Sequence, residues 1–256
     1  MNLAALEPGI LLPAFAAGLL VLASHVPLGE AVLRRGIIFL DLAIAQFAGL
    51  GVVLAHGLAE GVASPWLTQA GAVTAALASA LFLHWREARA PAIQEAVIGI
   101  GFVAAASATL LLVSQDPHGA EHLRDLLVGQ ILWTTWAGLI PLALVTAGML
   151  AAWYGFGLRA SGRAFYVLFA IVITASVQVV GIYLVFASLI VPALAAGGRL
   201  VRGYVLGVTG YGLGLAASAL FDLPAGAAIV LGLILVALLW RGLAQGFSSS
   251  VRSSSA

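Results

Sequence analysis

Two residues in one apolar stretch carry side chains that could bind a cation. Asp41 lies within IIFLDLAIAQFAGLG (37–51), and Gln46 follows five residues later. A carboxylate inside an apolar span costs at least a few kcal/mol, so such residues face a pathway or a partner. The alternative for Asp41 is an ion pair with Arg34 or Arg35. The Gln46 amide oxygen is a hard, neutral donor suited to oxygen-preferring ions. It could equally join two helices by a hydrogen bond. A second constellation, His118-Gly-Ala-Glu121-His122, matches H-x-x-E-H, a zinc-hydrolase pattern. That chemistry needs both histidines on one helix face, but here they follow Asp116-Pro117 in a loop. Hydrolysis is therefore set aside. A loosely held, metal-attracting loop and a plain solvated loop both remain open. His25 reads as a packing histidine, His84 as interfacial and Gln178 as a turn cap, with Glu87 and Glu95 solvated.

These residues sit in a chain of 256 residues, 62% apolar and only 8% charged. Soluble domains average about 25% charged residues. Too little polar surface remains to cover a soluble core, which excludes a soluble enzyme, a nucleic-acid binder and a disordered chain. The long unbroken apolar runs also exclude an outer-membrane barrel, whose strands alternate. The fold class is an all-α polytopic membrane protein. There is no cysteine, hence no thiolate site or disulfide. There is also no lysine, so no P-loop can form, since its Lys must reach the phosphates. Any ATP-driven work needs another polypeptide.

A membrane-spanning helix takes about 20 mostly apolar residues. Nine spans are expected, at 10–28, 36–56, 66–85, 92–113, 134–154, 164–179, 181–198, 203–221 and 225–241. The stretch 164–198 is short for two passes and is split near Gln178–Gly181. Arginine distribution supports the split through the positive-inside rule. With the Arg34–Arg35 loop in the cytoplasm, ten of eleven arginines fall inside and only Arg124 outside. One pass there would leave six in and five out. The N-terminus is then outside and the C-terminus cytoplasmic. The first span lacks the basic leader of a cleavable signal and is read as retained. A single transmembrane domain covers 1–245, and 246–256 is a polar, mobile tail. The outer-loop stretch LLVGQILW (126–133) is too short to span and should lie along or dip into the outer face. Gly210, Gly212 and Gly214 should permit close helix packing.

Four segments, in order, resemble one family, the permease subunits of ABC importers for zinc and manganese. PLGEAVLRRGIIFLDLAIAQFAGLG (27–51) resembles that family's Arg pair, Asp six residues on, His and Gly. VVGIYLVFASLIVPALAA (179–196) is similar to its V-G-x-L-L-x-x-x-L-L-I-x-P-A-x-x-A stretch. SALFDLPAG (218–226) is similar to its D-x-P-A-G outer loop, and DLLVGQILWTT (125–135) to its L-x-G-x-I-L. The resemblance implies a dimer of two such membrane subunits, each resting on a cytoplasmic ABC ATPase. An extracytoplasmic metal-binding protein would dock outside. It implies the inner membrane of a bacterium, and a divalent metal ion as transported substrate rather than bound cofactor. Pro192 and Ala193, with the run through Arg199 to Arg202, would couple to the ATPase.

This sequence departs from the family at one position. The family's Asp and His lie four apart, on one helix face, but position 45 is Ala and the His slot counted back from Gly51 holds Gln46. Residues five apart point about 140° from one another on a regular helix. One extra residue is the usual sequence form of a π-bulge, which would bring Asp41 and Gln46 together. The other functional readings are an ion-coupled secondary transporter using Asp41, and an ABC permease for an organic metal chelate.

Overall fold

Apolar backbone can satisfy its own N–H and C=O groups in a bilayer only as helices or closed barrels. The described residues form helices and no strand. The computed structural model describes residues 7–58, 64–114, 127–156 and 162–253, with side chains as far as Gly242. Their α-helices are α1 Pro8–Arg35, α2 Leu40–Leu58, α3 Pro65–Glu87, α4 Gln94–Val113 and α5 Leu139–Leu150. The chain continues with α6 Gly162–Val180, α7 Ile182–Ala196, α8 Leu200–Phe221 and α9 Ala225–Ser253. Among these, seven helices are long and apolar enough to cross a membrane. The shorter apolar stretches are Leu139–Gly155 and Ile182–Ala196. The protein is an all-α, multi-pass membrane protein.

Boundaries moved where caps, rather than hydropathy, set them. α1 was expected to end at residue 28. It runs on through Pro27 to Arg35, because Gly36 adopts the left-handed conformation that closes a helix C-terminus. There the Gly36 N–H donates to Leu33 O and the Ile37 N–H to Val32 O. Arg34 and Arg35 occupy the last turn, where the helix dipole favours cations. α2 begins only at Leu40, so Asp41 lies in its first turn rather than several residues inside. α3 starts on a Ser64 cap whose hydroxyl accepts from Leu67 N–H. α5 starts at Leu139, five residues later than expected, and ends in a π turn over Ala151–Gly155. α9 stays helical through Ser253, beyond the expected end at 241.

The split in 164–198 falls where the sequence placed it. Gly181, at φ 81° and ψ 164°, interrupts α6 and α7 in a backbone region only glycine enters readily. With 15 residues, α7 is about 22 Å long, short of the ~30 Å hydrocarbon core.

α1 packs against α5, α7 and α8, and α2 against α3, α4 and α6, while α9 covers α7 and α8. Small residues set the tightest crossings. A methyl group on Gly51 would strike the Gly71 carbonyl, joining α2 to α3. Gly210 and Gly214 meet Leu233 and Ile229 of α9. Gly212 does not share this role, because nothing lies within 4 Å of a methyl group placed there. Two residues on from Gly210 is a turn of about 200°, which points Gly212 away from α9.

Candidate functional site

Asp41 is 1% exposed, and neither carboxylate oxygen has a hydrogen-bond partner among the described residues. It faces the backbone N–H groups of its own residue and Leu42 without forming a well-aligned bond to them. Among the described residues no arginine pairs with it. Arg34 pairs with Glu30 at 2.5 Å, and the Arg35 guanidinium lies over the Phe165 ring at 4.3 Å. The ion-pair alternative for Asp41 is therefore not what forms.

The charged side chain felt at Asp41 is a second carboxylate, Glu95 of α4. Glu95 was expected to be solvated. Instead its Oε1 accepts the Phe39 N–H at 3.1 Å, capping the start of α2 across 56 positions of sequence, and its Oε2 is buried without a partner. Both carboxylates thus gather at the positive end of the α2 dipole, which partly offsets their charge. Glu87 is not free either. Its Oε2 lies 3.9 Å from His84 Nδ1, and the His84 ring tilts against Tyr166.

Gln46 is buried as well. α2 is an unbroken α-helix from Leu40 to Leu58, so the expected π-bulge between Asp41 and Gln46 is absent. At 100° per residue the two side chains point about 140° apart. Both can be buried because α2 is surrounded, with α3, α4, α6 and α7 all packed against it.

His25 is fully buried in α1. Its Nδ1 lies 2.9 Å from Val21 O and 3.1 Å from Ser24 Oγ, while Nε2 has no partner. The packing reading thus accounts for one ring nitrogen only. His118 and His122 lie outside the described residues.

At the other end of the candidate machinery, Pro192 and Ala193 are buried in the last turns of α7 and present no surface. The exposed part is the turn Gly197–Gly198–Arg199, in which both glycines have positive φ, 58° and 83°. Arg202 donates to Ala196 O at 3.4 Å and sits over Trp240, and Arg241 donates to Leu194 O at 3.1 Å. Two arginines therefore satisfy the terminal carbonyls of α7, which have no intrahelical partner.

Three of the sequence segments meet in space. A methyl group on Gly129 would strike the backbone of Val180 and Gly181, and one on Gly181 the backbone of Val128 and Gly129. One on Gly226 would lie 2.6 Å from Val128 O. The 127–133 segment, with Ile131 buried, therefore dips between the α6–α7 break and the start of α9.

The chain is thus a bundle of apolar membrane-spanning helices with one broken pair and a buried carboxylate. The sequence matches the ABC 3 transport family over residues 8–157 and 141–242, and the chain belongs to that family. No curated protein matches it significantly. Among solved structures, it is similar to a chain of PsaBC from Streptococcus pneumoniae in complex with Fab. That match has 22% identity, covers 90% of each chain and gives a TM-score of 0.71. It is also similar, at 14% identity and TM-score 0.65, to the inward-facing conformation of an ABC transporter assigned to the metal-chelate type. There it covers 94% of this chain and 88% of the other. At such identities these likenesses establish the fold.

Proposed function

We propose that this permease carries divalent metal ions of the zinc or manganese class inward, driven by a separate cytoplasmic ATPase. The chain has no lysine and so no P-loop of its own. Two copies would form the membrane unit, in a bacterial inner membrane, with the N-terminus outside and the C-terminus in the cytoplasm. An extracytoplasmic binding protein would deliver the ion. Asp41 of α2 would line the route, with Gln46 on another face of the same helix, and the turn at Arg199 and Arg202, shaped by Pro192 and Ala193, would meet the ATPase. The observation that carries this reading is Asp41, a buried carboxylate with two unpartnered oxygens at one end of a span. Such a group is expensive unless a cation visits it. The Glu95 carboxyl beside it adds oxygen donors, which favours an oxygen-preferring ion over zinc.

A second reading, a permease for an organic metal chelate, draws on the lack of a histidine partner for Asp41 among the described residues. One experiment separates them. The permease is reconstituted with its ATPase and binding protein, and uptake of free Mn2+, Zn2+ and a chelated ferric ion is compared. ATP-dependent Mn2+ uptake that vanishes in Asp41→Asn supports the first. Uptake of the chelate alone supports the second, and ATP-independent uptake by the permease alone would sink both.

A further inference from the structure

Glu30 of α1 stands where the turn after α7 meets the helix leading to Asp41. At the neighbouring Gly29, α1 and α7 touch backbone to backbone. A methyl group there would overlap the Leu189 carbonyl oxygen and come within 3.0 Å of Ala193 Cβ. One residue on, the Glu30 carboxylate reaches over the turn. Its Oε1 lies 3.6 Å from where a methyl group on Gly198 would sit, and it is the group within 4 Å of that position among the described residues. The same oxygen accepts from Arg34 Nη2 at 2.5 Å.

From Glu30, α1 runs five residues to Arg35, reverses at Gly36, and α2 starts at Leu40, one residue before Asp41. The far side of the turn is held as firmly, by Arg202 and Arg241 on the last carbonyls of α7. A push on the turn has a short route toward the buried carboxylate through Glu30 and the end of α1, beside the direct stacking of α7 Phe186 on Phe39.

Fold stability does not explain the Glu30–Arg34 pair. The Arg34 side chain is 74% exposed, and pairs of that kind contribute about 0–1 kcal/mol. We propose that Glu30, braced by Arg34, is a positioning residue that transmits movement of the Gly197–Arg199 turn to the Asp41 end of α2. This rests on the reading of that turn as the ATPase contact.

The test uses the assembled permease, ATPase and binding protein in liposomes, with Mn2+ as probe ion, and reads ions taken up per ATP hydrolysed. In Glu30→Gln this ratio should fall about three- to ten-fold, the range expected for residues that carry coupling, while ATP hydrolysis continues. Arg34→Gln, at an exposed position, should lower the ratio in the same direction. It decides the matter if Glu30→Gln fails to assemble. A separate Arg199→Cys variant tests the underlying reading by cross-linking to the ATPase. Cross-linking with wild-type ratios in both charge variants overturns the role of Glu30 and leaves the turn's contact standing. Absence of cross-linking overturns the contact and the proposal together.

Discussion

Gly129 and Gly181, fifty-two positions apart in sequence, lie so close that neither can carry a side chain without striking the other's backbone. Their φ angles, 69° and 81°, are both in the region that disfavours other residues. Gly181→Ala should therefore destabilise twice, through about 1–3 kcal/mol of backbone strain and through displacement of the 127–133 segment. At roughly 2–4 °C per kcal/mol for a chain of this size, the detergent-purified protein should melt several degrees lower. Gly148→Ala, where a methyl group meets nothing within 4 Å, should leave melting unchanged or raised. Equal melting of the two variants would contradict the contact.

The α8–α9 crossing makes a finer distinction. Gly210 is pressed against Leu233, whereas Gly212 faces open space. Gly210→Leu should lower stability by about 1–3 kcal/mol through overpacking, and Gly212→Leu by little or nothing. Denaturation of the two variants in detergent, measured side by side, checks this. A Gly212→Leu defect as large as that of Gly210→Leu would reverse the assignment of faces.

Helix content and the break at Gly181 were legible because both depend on local composition: unbroken apolar runs, and a glycine between them. Helix ends were less so. α1 outruns its hydropathy through the Gly36 closure, and α2 starts late because Gly36–Phe39 form a turn. The surroundings of Asp41 were hidden for another reason. Glu95 reaches Phe39 from a different helix, and no local signal links them. The expected π-bulge failed because it assumed that Asp41 and Gln46 must share a face, whereas α2 is packed on several sides. Of the run expected to meet an ATPase, Pro192 and Ala193 are buried, while Arg199, also marked in the sequence, lies on the exposed glycine turn.

Sidedness offers a direct check on the arginine argument. Arg199 and Ser64 are both exposed and should lie on opposite sides of the membrane. In sealed, oriented cells, Arg199→Cys should react only with reagent that reaches the cytoplasm, and Ser64→Cys only with impermeant reagent added outside. The chain has no native cysteine to confuse the readout. Labelling of both from one side would remove the nine-span arrangement.

Asp41 sets function against stability. A buried charged group left without hydrogen bonds costs about 1–3 kcal/mol or more, and the start of α2 returns only about 0.3–1 kcal/mol through its dipole. A net cost remains for a carboxyl buried without hydrogen bonds. Asp41→Asn keeps the shape and removes the ionisable carboxyl. It should therefore raise the melting temperature of the ion-free protein by a few degrees, following about 1 kcal/mol of relief, while abolishing ATP-driven Mn2+ uptake. Added Mn2+ should raise the melting temperature of the wild type, because binding to the folded state stabilises it, and should not shift that of the variant. A carboxylate kept for structure behaves the other way: Asp41→Asn would melt lower, and uptake would fall only as far as the loss of folded protein.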